Sequence, residues 1–134
     1  MGLLGEDGSG IFDTRRLIAP TGYRTPESGQ IEINKFDLHG TNGDYEEIRT
    51  VTTGKKYFVT NIISNNDGTA TDMLHRLATG AAASEVDMLR WNVGARGVIQ
   101  LQFNVPLVFT SGTRISWIIN SAAGQSITLL GFEE

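Results

Sequence analysis

Residues 97–109 carry the pattern that most constrains the fold, an alternation of apolar and polar side chains. Six consecutive odd positions are apolar: Ile99, Leu101, Phe103, Val105, Leu107 and Phe109. Three of the even positions between them are polar: Gln100, Gln102 and Asn104. A period of two is typical of a β-strand with one buried and one solvated face, because successive side chains point to opposite sides. Pro106 cannot donate a ladder hydrogen bond, so we expect an edge strand or a bulge there.

The segments on either side of this strand extend the β pattern along the chain. Downstream, Ile115, Trp117 and Ile119 share one face, and a last strand is predicted over residues 126–133. Upstream, three more strands are predicted, over residues 30–38, 46–52 and 55–64. The last of these is apolar on both sides.

Two irregularities are expected in the upstream part. In residues 30–38 the apolar alternation changes phase between Ile33 and Phe36, which indicates a β-bulge. The Asn-Asp-Gly sequence at residues 66–68 is a strong turn signal, because an Asp-Gly pair supplies the positive φ of a tight turn. The strand that follows is therefore expected to return antiparallel to residues 55–64 as a hairpin.

Residues 69–92 fit two patterns. Several apolar positions have helical spacing: Ala70, Met73, Leu74 and Leu77. The expected hairpin and the break at Gly80 favour two strands instead, over residues 69–78 and 85–93. The chain then has about eight strands, which predicts an all-β fold, a jelly-roll-like β-sandwich of antiparallel strands.

Composition supports a single domain and removes several kinds of site. The chain has 134 residues, the size of one domain, and we assign the sandwich to residues 29–134. The absence of cysteine excludes disulfides, thiolate metal sites and cysteine nucleophiles. The first ten residues lack a signal-peptide pattern, and no apolar run approaches the roughly 20 residues of a membrane span. A soluble protein that is not exported is expected.

Residues 1–28 differ from the rest because they show neither a strand period nor a helix period. Glycines, prolines and scattered charges accompany two apolar pairs, Ile11-Phe12 and Leu17-Ile18. Three basic residues stand near these pairs: Arg15, Arg16 and Arg24. Two interpretations are open, a solvated tail or an extended N-terminal arm that becomes ordered against another surface. The apolar pairs favour the arm, because such pairs are unusual in a solvated tail.

The sequence offers few residues for catalysis or metal binding. The two histidines, His39 and His75, have no metal-ligand spacing, and no serine lies in a nucleophile-elbow context. Both histidines are expected to be solvent-facing or hydrogen-bonded, and we expect no catalytic residue, no metal and no cofactor. Basic residues are scattered and the net charge is −4, so neither nucleic acid nor membrane is an expected partner.

Three aromatic side chains are candidates for stacking on a glycan: Trp91, Tyr45 and Tyr57. Trp117 is expected in the core, whereas Trp91 precedes a turn and is the better candidate for an exposed ring. Residues 65–72 have the oxygen-rich composition of a calcium loop but lack the order of an EF-hand. A plain turn requires the same residue types.

Several short segments resemble a known class of small β-sandwich proteins. They are Val-Thr-Thr-Gly-Lys at 51–55, Tyr-Phe-Val-Thr-Asn-Ile at 57–62, Asn-Asp-Gly at 66–68, Phe-Asn-Val-Pro-Leu at 103–107, Ser-Gly-Thr-Arg-Ile-Ser-Trp at 111–117 and Ser-Ile-Thr-Leu-Leu-Gly-Phe at 126–132. In this order they resemble the small jelly-roll virion structural proteins of tailed bacteriophages. That class includes capsid decoration (cement) proteins and tail or receptor-contact domains.

The resemblance implies a non-enzymatic decoration protein on the capsid surface of the virion, made in the host cytoplasm. Such proteins are typically homotrimers whose terminal arm extends to a neighbouring subunit or to the capsid. Residues 1–28 would form that arm and supply the contact residues: Ile11, Phe12, Arg15, Arg16, Leu17, Ile18 and Arg24. Three tethered arms bind far more tightly than one.

Three alternatives stay open. The first is a phage tail or receptor-contact protein, and the second is a carbohydrate-binding module that uses the candidate stacking rings. The third is a sandwich-fold enzyme, which would have to depend on His39 or His75.

Overall fold

The protein is described by a computed structural model over residues 28–39, 43–67, 71–119 and 124–134. Strands make up 68% of these residues and no helix occurs among them, so the described part is all-β. The strands form two antiparallel sheets that pack as a sandwich. The predicted fold class is therefore confirmed.

Eight strands follow one another along the described part of the chain. They are β1 (Ile31–His39), β2 (Glu46–Thr50), β3 (Tyr57–Asn66), β4 (Met73–Thr79), β5 (Val86–Val93), β6 (Val98–Phe109), β7 (Arg114–Ile119) and β8 (Gln125–Glu133). Sheet A has the strand order β1-β8-β3-β6, and sheet B has the order β2-β7-β4-β5. Strands from the two ends of the chain thus lie side by side in each sheet, which is the jelly-roll arrangement.

Side chains that face the opposite sheet build the core. On β7, Ile115, Trp117 and Ile119 are fully buried as predicted, and they meet Ile127 and Leu129 of β8. Burial of each Ile or Leu side chain stabilises the fold by about 1.5–3 kcal/mol. The Trp117 indole N–H also donates a hydrogen bond to a β1 carboxylate, which ties an edge of sheet A to sheet B.

The described part of residues 69–92 forms two strands, β4 and β5, as favoured, but the predicted hairpin with the preceding strand is wrong. β4 pairs with β5 and β7 in sheet B, whereas β3 lies in sheet A. Both sides of β3 are already paired, with β6 and with β8, so no free edge remains for β4. The chain crosses between the sheets after Asn66, whose side-chain amide donates to the carbonyl oxygen of Thr71 at 2.8 Å.

Strand β6 is an edge strand with a bulge, which confirms the expectation at Pro106. Residues 103–106 of β6 lie opposite Thr60 alone, and regular pairing resumes on both sides of them. The bulge interrupts the alternation, so Val105, predicted on the buried face, is 81% exposed. The other apolar odd positions of β6 pack against or within the core.

The bulge predicted in β1 is wrong. β1 pairs with β8 in one unbroken register over its whole length. The change of apolar phase has another cause, because Ile33 packs against the core while Phe36 and Leu38 lie on the outer face of sheet A. Those two side chains are 64% and 61% exposed.

Candidate contact surfaces

The predicted contact residues of the N-terminal arm lie outside the described residues. They are Ile11, Phe12, Arg15, Arg16, Leu17, Ile18 and Arg24. The surface that the structure describes is therefore that of the sandwich, with its two sheets, their edges and the connections between strands.

Two of the three predicted stacking rings are buried. Trp91 is 7% exposed and Tyr57 is fully buried, so neither has an open ring face, and the prediction of an exposed ring at Trp91 is wrong. Trp91 lies on the inward phase of β5 and packs edge-on against the His75 imidazole, with centroids 6.0 Å apart. Tyr57 faces the core, and the Arg49 guanidinium lies 5.1 Å from its ring centroid.

Tyr45, the third ring, is half-buried and belongs to a charged cluster on the outer face of sheet B. Its hydroxyl donates a hydrogen bond to Asp87 Oδ1 at 2.7 Å. Asp87 Oδ2 also lies 3.3 Å from Arg76 and 3.0 Å from Arg90. Burial raises the pKa of Asp87, but the hydrogen bond from Tyr45 and the two arginines outweigh it, so the pKa is lowered overall. The cluster therefore holds a charged carboxylate among three donors.

A second charged cluster centres on Arg114 at the start of β7. Its Nε donates to Glu47 Oε2 at 3.0 Å, and its Nη1 donates to Glu85 Oε1 at 2.7 Å. The hydrogen bond from Arg114 lowers the pKa of Glu85, and hydrogen bonds from Thr50 and Arg114 lower that of Glu47. One guanidinium thus joins β2, β7 and the connection before β5.

Side chains of catalytic type meet in a buried polar chain around His75. Ser64 Oγ is hydrogen-bonded to His75 Nδ1, and His75 Nε2 lies 2.8 Å from Gln125 Oε1. Gln125 Nε2 donates to Asn66 Oδ1 at 2.7 Å. Because Gln125 Oε1 can only accept, this pattern assigns the proton to His75 Nε2 and makes Nδ1 the acceptor from Ser64. All four side chains have 0% exposure, so the chain is enclosed between β3, β4 and β8.

This burial gives His75 the hydrogen-bonded role that the sequence predicted, while the His39 side chain lies outside the described residues. The Asn66 side-chain amide is hydrogen-bonded to the carbonyl oxygens of Thr71 and Val93 and to Gln125, and residues 68–70 of the calcium-loop candidate lie outside the described residues. Among the described residues, no group of three or more His, Asp or Glu side chains is placed to hold a metal. The same part of the chain has no helix long and apolar enough to span a membrane.

Eight large apolar side chains of the described residues are exposed, and all of them lie on edge strands. They are Ile31, Phe36 and Leu38 on β1, Val86 and Met88 on β5, and Val98, Val105 and Val108 on β6. Edge strands also present unpaired main-chain N–H and C=O groups. Apolar side chains beside such groups are therefore the candidate contact surface of the described residues.

These exposed side chains fall on two opposite sides of the sandwich. Strands β1 and β2 lie together at one side, and β5 and β6 border the other, as the strand orders and the contacts between the sheets show. We call these the β1 side and the β5–β6 side. The sequence predicted neither surface. The outward residues of β1 were interpreted as a sign of a β-bulge, and the alternation in β6 placed Val105 on the buried face.

The contact surfaces have to be interpreted from their own chemistry. No protein-family model matches the chain, and no curated protein matches it. The described chemistry is that of exposed apolar edge strands and of two charged clusters, at Asp87 and Arg114, whose ion pairs lie within the subunit.

Proposed function

We propose that the protein is a non-enzymatic virion structural protein, a decoration (cement) protein that binds and stabilises a bacteriophage capsid. The observation that carries the proposal is the pair of exposed apolar sides on a jelly-roll sandwich. A protein that works by contact needs such surfaces. The polar chain around His75, by contrast, is closed to any substrate.

The two apolar sides support a homotrimer. In a closed ring with three-fold symmetry, each subunit contacts its neighbours through two different surfaces. The β1 side and the β5–β6 side are such a pair, since they are opposite one another and carry different side chains. Docking one on the other would cover Phe36 and Val105, which are 64% and 81% exposed on the single subunit.

The arm at residues 1–28 supplies the contact with the capsid in this proposal. Arg15, Arg16 and Arg24 suit an acidic capsid surface, and the two apolar pairs suit an anchor on the capsid or on a subunit. Joining three arms in one trimer raises the avidity over a single arm by roughly 10²–10⁴ when all three bind at once.

Capsid binding tests the proposal directly. Purified protein is mixed with phage capsids that lack it, and bound protein is measured by sedimentation together with the melting temperature of the capsid. We expect saturable binding and a higher melting temperature. Changing Arg15, Arg16 and Arg24 together to Gln should weaken binding, as should deletion of residues 1–28.

A matched control comes from the sandwich. Lys56 is an exposed basic residue in the connection between β2 and β3, outside both charged clusters, so Lys56→Gln should leave capsid binding unchanged. Unchanged binding and capsid stability after deletion of residues 1–28 would remove the arm from the mechanism. A protein that binds no capsid, or that antibody labelling places on the tail, would contradict the decoration role.

The carbohydrate-binding alternative keeps only one of its three rings. Trp91 and Tyr57 are buried, which leaves Tyr45 as the ring with some exposure. A glycan array probed with and without calcium tests this alternative. Binding that Tyr45→Ala abolishes would favour it over the decoration role.

A further inference from the structure

The outer face of sheet A is apolar in its middle, unlike most two-layer sandwiches, whose strands alternate apolar inward and polar outward. Strand pairing places three rows of outward side chains across the four strands. In the order β1, β8, β3, β6 they are Glu32, Phe132, Phe58 and Val108; Asn34, Leu130, Asn61 and Gln102; and Phe36, Thr128, Ile63 and Gln100. On the two central strands, four of these six side chains are apolar.

Two side chains in the middle of this face are buried although they point away from the core. Phe132 is fully buried and stacks on Phe58, with centroids 5.0 Å and planes 10° apart. Asn61 is 3% exposed. Neither Phe132 nor Asn61 belongs to the cluster between the sheets. A side chain on the outer face of a sheet reaches such burial where a further layer covers it.

Asn61 is an independent sign of that layer. Its Oδ1 atom is buried and has no hydrogen-bond partner among the residues that the structure describes. Buried polar groups in folded proteins are nearly always paired, and each exception calls for an explanation. The position of this oxygen on the outer face of sheet A points to a donor that belongs to the covering layer.

We propose that residues 1–27 of the same chain form this layer. In this arrangement the apolar pairs of the segment, Ile11-Phe12 and Leu17-Ile18, pack on the central apolar side chains of the face. A main-chain N–H of the segment donates to Asn61 Oδ1. The central side chains are Phe58, Ile63, Leu130 and Phe132.

The position and length of the segment suit this face. It ends immediately before Ser28, three residues ahead of β1, and β1 pairs with β8 so that Glu32 lies opposite Phe132. The chain that follows the segment therefore enters the sheet beside the row that holds the buried aromatic pair. Four strands span about 14 Å, and the ten or so residues between Leu17 and Ser28 reach about 33 Å when extended.

This inference goes beyond the capsid role and does not depend on it. It places the apolar residues of the arm on the body of the subunit, which leaves Arg15, Arg16 and Arg24 for a partner. The segment then acts as a third layer that keeps the centre of the outer face of sheet A from binding other apolar surfaces, while Phe36 and Val108 at its two edges stay exposed.

The absence of cysteine allows a thiol-access test in the full chain. A single Asn61→Cys substitution reports access to the outer face of sheet A through its rate of alkylation by iodoacetamide. We expect slow alkylation in the otherwise unchanged chain. Changing Ile11, Phe12, Leu17 and Ile18 together to Ser should raise the rate by roughly tenfold or more.

Two controls separate uncovering from unfolding. Arg15→Gln combined with Arg16→Gln alters the same segment without its apolar pairs, and should leave the alkylation slow. Val93→Cys places the thiol at a core position that is 1% exposed, and it should stay unreactive in every background if the sandwich remains folded.

Two results would overturn the proposal. One is that the thiol introduced by Asn61→Cys is alkylated at the same rate with and without the four serine substitutions. The other is slow alkylation that becomes fast on dilution, which would assign the layer to a second copy of the chain. Capsid binding plays no part in this measurement, so failure here is distinguishable from failure of the proposed function.

Discussion

Gln125 holds the buried polar chain together, because its side-chain amide contacts a partner at each end. Its Oε1 accepts from His75 and its Nε2 donates to Asn66. Neither partner is exposed to water. An apolar side chain of similar size would leave a donor on His75 and an acceptor on Asn66 unpaired, and each such loss costs about 1–3 kcal/mol.

We therefore predict that Gln125→Leu lowers the free energy of unfolding by about 2–5 kcal/mol, measured by urea denaturation. Gln100→Leu is the matched control, because it makes the same change at an exposed position of β6. The control should change the free energy of unfolding by less than about 0.5 kcal/mol. Equal effects of the two substitutions would contradict the structural role of the polar chain.

Glu133 is a buried carboxylate whose charge depends on its partners. It is 4% exposed and accepts hydrogen bonds from the Arg49 guanidinium, one of them at 3.1 Å, and from the Thr52 N–H at 3.4 Å. Burial by itself raises the pKa of Glu133, but these hydrogen bonds outweigh it, so the pKa lies below its ordinary value. In the unfolded chain a glutamate titrates near pH 4.3, at about its ordinary pKa.

A lowered carboxyl pKa in the folded state has a defined effect on stability. The contribution of the charged Glu133 side chain to the free energy of unfolding is fully present above about pH 5. It is lost as the pH falls, first through the pKa of this carboxyl in the unfolded chain and then through its lower pKa in the folded protein. We predict that Glu133→Gln lowers stability at pH 7 and flattens its decline between about pH 5 and pH 3. Urea denaturation at each pH measures this effect.

The neighbouring carboxyl offers the control for this prediction. Glu134 is exposed, so Glu134→Gln should leave the decline of stability in acid close to that of the parent chain. If the free energy of unfolding still declines as steeply in acid after Glu133→Gln, other carboxylates, such as Asp87, govern the acid response.

Strand β6 shows what an edge position allows an element to do. With one side unpaired, residues 103–106 bulge over Thr60, and the ladder between β3 and β8 shifts register at the same residue of β3. The bulge turns Val105 outward, and Leu107 and Phe109 return to the core side.

This geometry predicts opposite outcomes for one substitution at two valines. Val105→Ser should change the free energy of unfolding by less than about 0.5 kcal/mol. Val59→Ser, on β3 beside the bulge, should lower it by about 2–4 kcal/mol, because Val59 is fully buried. A large loss for Val105→Ser would mean that the simple alternation, and not the bulge, describes β6 in solution.

The strands themselves were predictable, and their partners were not. Gly80 and the turn before it indicated two strands over residues 69–92, and β4 and β5 are there. The hairpin that supported this interpretation does not form, because β6 and β8 occupy both sides of β3. A local turn signal depends on residues close together in the chain and carries no information on which strand edges are free.

The whole molecule makes a prediction about assembly. If the β1 side docks on the β5–β6 side of the next subunit, Phe36→Asp and Val105→Asp each block one of the two surfaces. Each variant alone should reduce the mass measured by light scattering from trimer to monomer, because a buried charge opposes apolar contact. An equimolar mixture keeps one intact pair of surfaces and should form dimers.

Thr53→Asp is the control for assembly, since it adds the same charge at an exposed connection between β2 and β3. It should leave the trimer intact. Trimers that persist in both single variants, or a mixture that stays monomeric, would exclude head-to-tail contact between these two sides.

The amino-acid sequence by itself determined the all-β class, the number of strands and the core face of most of them. These properties follow from alternation within one strand, which a linear pattern records. Only the tertiary structure decided that Trp91 is buried, that Val105 is exposed and that Phe132 is buried on the outer face of sheet A. Those outcomes depend on which edges are free and which layers meet, and neighbours distant in the chain supply both.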